Sequence, residues 1–93
     1  MNQIKNEIIS ICELYNREPI TNKTFYNMEA RICNYLHTAL TFGTIIEYKV
    51  TRDEKYEYCI DIYYSWGLGL FKNAVVYLSD ITNTITYIEE SEI

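Results

Sequence analysis

Cys33 and His37 stand four residues apart in "RICNYLH". On a helix that spacing brings two side chains together, so a thiol nucleophile beside its base, or half of a metal site, is the chemistry they could do. Such a nucleophile also needs a third, orienting group and an oxyanion hole, and a metal needs further ligands. His37 is the only histidine, and Cys12 and Cys59 form no CxxC pair with it or with Cys33. The pair therefore reads as a packed thiol next to a boundary histidine. Glu57 and Asp61 could act as the paired carboxylates of a glycosidase, but nothing else in the chain suggests a sugar cleft beyond its tyrosines. The "GLG" of residues 67–69 lacks the further glycine, the Lys or Ser/Thr and the following helix of a phosphate loop. No catalytic residue, cofactor or metal ligand is assigned, and no small-molecule substrate is expected.

What stands out instead is apolar. "SWGLGLF", residues 65–71, sets Trp66, Leu68, Leu70 and Phe71 around two glycines. It reads either as a bend that tucks Trp66 and Phe71 into a core or as an exposed protein contact, with Trp66 the leading contact residue. The chain has ten tyrosines, seven of them from Tyr48 onward. Aromatic strands can stack single-stranded bases, but that use wants interleaved Lys and Arg, and beyond Lys55 only Lys72 remains.

The elements that must hold these residues follow from periodicity. Ile4, Ile8, Ile11 and Tyr15 form one helical face, predicting a helix over 2–16 that ends before Pro19. Phe25, Met28, Ile32, Leu36 and Ala39 predict a second helix over 22–42, capped by Asn22 or Thr24 and closed by Gly43. "TIIEYKV" (44–50) and "YEYCIDIYY" (56–64) alternate with period two across the charged "TRDEK" and predict a hairpin. Within it Glu57 and Asp61 share the wet face. "NAVVYLSD" (73–80) and "ITNTITYIEE" (81–90) are two further strands, with Asn83 a turn candidate and the end "EESEI" expected to fray. The order α-α-β-β-β-β predicts one α+β domain over 1–93. Two N-terminal helices pack on the aromatic face of a three- to four-stranded antiparallel sheet whose other face carries charges into water.

Composition sets the class. Of 93 residues, 48% are hydrophobic, which argues against disorder. No apolar run approaches the ~20 residues of a membrane span. Glu7 and Glu13 interrupt the N-terminal apolar pattern, against a signal peptide. A cytoplasmic setting is expected, with the three cysteines reduced. The net charge of −5 lies in the second half, where Glu57, Asp61, Asp80, Glu89, Glu90 and Glu92 face Lys72 alone. That sign excludes direct phosphate-backbone binding and suits a basic protein surface.

The stretch "TNKTFYNMEARICNYLHTALTFGTIIEYKVTRDE" followed by "YCIDIYY" resembles the C-terminal domain of contractile phage tail sheath proteins. Asn22 before a helix, Tyr35 and Leu36 near its end, Gly43, the Tyr48-x-Val50 strand and the acidic turn at Asp53 occupy the matching places. The likeness covers residues 21–64 and implies a phage or prophage protein that joins neighbours through sheet edges and strand addition. The expectation is a non-enzymatic interaction module with a protein partner or a second copy of itself. Its contact residues would be Trp66, Leu68, Leu70 and Phe71. The alternative is an acidic, anti-defence type of inhibitor that covers a basic nucleic-acid-binding site of a host enzyme through Asp61, Asp80, Glu89 and Glu90.

Overall fold

A computed structural model describes residues 2–90; Glu92 and the expected fraying of the end fall outside that range. Helices α1 (Asn2–Tyr15) and α2 (Asn22–Thr41) precede strands β1 (Glu47–Arg52), β2 (Cys59–Gly67), β3 (Leu70–Leu78) and β4 (Ile85–Glu89). The strands form one antiparallel meander in the order β1-β2-β3-β4, so the α+β arrangement is as the periodicity predicts. Among the described residues no helix is long and apolar enough to cross a membrane.

Both ends of α2 are set by local chemistry. Its cap is Thr21 rather than Asn22 or Thr24: the Thr21 hydroxyl accepts from the Thr24 N–H at 3.2 Å, and the Thr24 hydroxyl accepts from the Thr21 N–H at 2.8 Å. This reciprocal box satisfies two otherwise open donors. At the other end Gly43, with φ +78°, donates to the Leu40 carbonyl at 3.1 Å, and Thr44 donates to the Ala39 carbonyl at 2.9 Å. Those two bonds make a Schellman closure, which needs a residue free to enter the left-handed region.

The core lies between the helices and one sheet face. Ile4, Ile8, Phe25, Met28, Ile32 and Leu36 meet Ile60, Ile62, Tyr64, Ala74, Val76 and Ile85. The β2–β3 register puts Ile60 opposite Val76 and Ile62 opposite Ala74, so inward side chains stack across strands. On β1 the inward Tyr48, Val50 and Arg52 are only half-covered. Ile45 is buried and Ile46 is 60% exposed, the reverse of the predicted alternation. Residue 45 still belongs to the helix closure, where its N–H reaches the Ala39 carbonyl, and the strand phase starts after it.

The second face departs further from expectation. Glu47, Lys49, Thr51 and Asp61 do meet water. Toward β3 and β4, however, the outward residues are Tyr63, Phe71, Val75, Tyr77 and Ile88 with the uncharged Asn73 and Thr86 among them, a largely apolar stretch. The predicted charged face is thus charged only over β1 and half of β2.

Candidate interaction surface and polar clusters

"SWGLGLF" is the β2–β3 hairpin itself, because β2 runs on to Gly67 and β3 starts at Leu70. Gly67 pairs with Leu70 and Ser65 with Phe71, leaving Trp66 as an extra residue in a bulge. Leu68 and Gly69 make the two-residue turn, and Gly69 takes φ +73°. The buried Ser65 hydroxyl points its single donor between the Leu70 carbonyl at 2.8 Å and the Gly67 carbonyl at 3.0 Å, tying bulge to turn. A bulge sharpens the local twist and re-aims side chains. Here it turns Trp66 against the core, 6.0 Å from the Tyr64 ring, and leaves Leu68 102%, Leu70 50% and Phe71 37% exposed. The bend therefore tucks in Trp66 but not Phe71. Trp66 is half-buried packing; Leu68 caps the turn, Leu70 is exposed on the helix side of the sheet, and Phe71 is on the outer side, continued by Tyr63, whose ring is 6.0 Å from that of Phe71.

The acidic residues separate in a way their sequence positions conceal. Asp61, Asp80 and Glu90 are exposed. Glu89 is not a free contact: it lies on the inner side between Lys72 at 3.4 Å and Lys5 at 3.9 Å. Glu57 lies in the β1–β2 loop, not on β2, so it shares no strand face with Asp61. That loop begins with an Asx turn in which Asp53 Oδ1 accepts from the Lys55 N–H at 2.8 Å.

The sequence reading missed one cluster. Asp53, Cys59 and Asp61 bring a thiol and two carboxylates within 4.8 Å of one another. The Asp53 N–H donates to the Cys59 carbonyl at 3.0 Å, so the hairpin register holds the first two side by side. The predicted hairpin, with 51–55 as its turn, puts Asp53 at the tip, and only the observed register, with Arg52 opposite Ile60, brings it to Cys59. Burial, then the Asp53 and Asp61 charges, push the Cys59 thiol above its ordinary range.

Cys33 and His37 do not form a dyad. The exposed His37 ring lies 3.4 Å, through Nδ1, from the Tyr48 hydroxyl, and among the described residues no hydrogen bond joins it to Cys33. Burial and Glu29 raise the Cys33 thiol, the wrong direction for a nucleophile. Under the sheet, the Tyr64 hydroxyl is buried with no hydrogen-bond partner among the described residues. Tyr87 is near enough to perturb its titration without satisfying it, and burial raises both hydroxyls.

The sheet edges differ. The Asp53–Cys59 bond fixes which β1 residues face β2, so the backbones of Tyr48, Val50 and Arg52 face outward. On β4 the outward N–H and C=O of Ile85 are both taken by the Asn16 side chain. No protein-family model, characterised protein or solved structure matches this chain.

Proposed function

We propose that this chain is a non-enzymatic protein-binding module whose contact surface is the β2–β3 hairpin tip and the apolar outer face of β3 and β4. The observation that carries the reading is the exposure of Leu68, Leu70 and Phe71 around one hairpin tip pinned by a buried serine, Leu70 on the helix side of the sheet and Phe71 on its outer side. Apolar side chains on a pre-formed turn lose little entropy on docking. The open β1 edge adds a place for a partner strand. The resemblance of residues 21–64 to the sheath domain supports an assembly role, in a phage or prophage, with a neighbouring protein or a second copy as partner.

Asp61, Asp80 and Glu90 are exposed. This favours a second reading, in which the same chain inhibits a host enzyme by covering a basic nucleic-acid site.

Tagged protein captured from its native host at low and high salt tests both. Virion or self subunits retained at both salts, and lost on Leu68→Ser with Phe71→Ser, support the assembly module. A single nucleic-acid enzyme released by salt supports the inhibitor. Capture indifferent to salt and to both serines overturns the hairpin as the contact.

A further inference from the structure

At the end of the sheet away from the hairpin, a concavity of ≈ 580 Å³ opens where β2 begins and β3 ends. Tyr56, Tyr58 and Tyr77 line it with Cys59, and Glu57 and Asp80 are the acidic residues of its wall; among the described residues no Lys or Arg lines it. Asp53 and Asp61 bring two further carboxylates within 4.8 Å of the Cys59 thiol. Aromatic faces attract cations through their ring quadrupole, and a wall of one charge sign focuses that preference.

The chain's own cations show the preference in place. Lys55 Nζ rests 5.9 Å from the centre of the Tyr56 ring. The Arg52 guanidinium lies 4.9 Å from the centre of the Phe25 ring, which packs at 5.3 Å on Tyr58. Arg52 also touches the Glu57 carbonyl at 3.3 Å, but its charge is matched by Glu29 at 3.0 Å. The Glu57 and Asp80 carboxylates have no ion-pair partner among the described residues.

We propose that this tyrosine-lined concavity is the socket for an arginine side chain projecting from a basic partner protein. The planar guanidinium stacks on tyrosine faces while its donor fork meets Glu57 and Asp80, a combination that lysine's compact ammonium does not match. The proposal rests on the protein-binding reading above and gives that partner a chemistry: a positively charged surface with a protruding arginine. The volume lies within the range of pockets that enclose ligands of side-chain size or larger.

The test is a nuclear magnetic resonance titration of the isotope-labelled chain. The probe is an acetylated, amidated Gly-Arg-Gly peptide, with its citrulline counterpart as the uncharged isostere. Saturating shifts at Val75 and Tyr77 are expected from arginine and not from citrulline. Glu57→Gln with Asp80→Asn, two exposed changes, weakens that binding roughly two- to thirtyfold, as expected for two exposed ion pairs. Tyr77→Ala removes the stacking surface and abolishes the saturating shifts. Equal shifts with citrulline, or arginine shifts spread over Asp61 and Glu90 without saturation at Val75, overturn the socket. If the peptide fails while the two hairpin serines still abolish capture, the socket falls and the module stands. If the peptide binds while capture ignores the hairpin, the hairpin contact falls and the socket stands.

Discussion

Asn16 clasps the backbone of Ile85, a residue 69 positions away. Its Oδ1 accepts from the Ile85 N–H at 2.7 Å and its Nδ2 donates to the Ile85 carbonyl at 3.2 Å. Leu78 turns its N–H toward the Tyr58 carbonyl of the β1–β2 loop, so its partner Ile85 turns its own backbone groups to the free edge. One carboxamide there does what a residue of a fifth strand would do. It also docks the end of α1 on the sheet. Asn16→Ala should cost about 1–3 kcal/mol, since it strands two partly buried backbone groups. Asn16→Asp should cost a similar amount, because a second oxygen would then face the carbonyl. Urea unfolding reads the loss, and hydrogen exchange should show the Ile85 amide losing protection first. Unchanged exchange at Ile85 would mean the clasp does not hold the edge.

Trp66 and Leu68 should separate stability from contact. Trp66 is packed against the core cluster, so Trp66→Ala should lower stability by roughly 1–3 kcal/mol, less than for a fully buried aromatic. Leu68 is exposed throughout, so Leu68→Ser should change stability by no more than about 0.5 kcal/mol. Thermal unfolding distinguishes them. If Trp66→Ala unfolds at the wild-type temperature, the ring is not core packing.

Gly69 and Gly67 sit two residues apart and should respond differently to alanine. A Cβ on Gly69 meets nothing within 4 Å, so the whole cost comes from holding φ +73° with a side chain, about 1 kcal/mol. A Cβ on Gly67 meets Leu70 Cδ1 at 3.1 Å, the tip of an exposed side chain that can swing aside. Gly69→Ala should therefore be the more destabilising of the two. Ser65→Ala, which leaves two part-buried carbonyls without their shared donor, should cost about 1 kcal/mol and loosen the hairpin amides. A Gly67→Ala loss exceeding that of Gly69→Ala would place the constraint in packing rather than in the turn.

Where sequence reasoning succeeded, one physical rule governed each residue. The 3.6-residue stripe from Phe25 to Ala39 is buried along its length, and Gly43 takes the left-handed closure its position asks for. Asn83 likewise enters positive φ in the β3–β4 turn. Failure came where two rules competed. Ile45 belongs to a helix closure and a strand at once. Trp66 is shifted out of alternation by a bulge that only the pairing of Ser65 with Phe71 reveals. Glu89 looked like part of an acidic face, but its lysine partners come from β3 and from α1, a contact no local pattern encodes. The Asp53–Cys59–Asp61 cluster and the tyrosine socket depend on register across the hairpin and on neighbouring strands, so they emerge only once the sheet is assembled.

The buried acids of this chain titrate late, and that sets how it should respond to base. Burial pushes the Cys12 thiol from 9.0 up to about 12, and it also raises Cys33, Cys59, Tyr35, Tyr64 and Tyr87. Each group keeps its proton in the folded state at a pH where the unfolded chain has released it. The folded state then binds more protons, so stability falls as pH rises. The contribution is complete below pH 9 and is lost progressively toward 12 for Cys12. For this thiol, 2% exposed, the loss is about 1.4 kcal/mol for each pH unit above its unfolded value. Urea midpoints should be level between pH 7 and 8.5 and drop steeply beyond 9.5. Cys12→Ala should start from a lower stability but decline less steeply, because one late-titrating group is gone. A wild-type profile that stays level to pH 11 would mean these thiols and phenols are hydrated in solution and the core is looser than its packing.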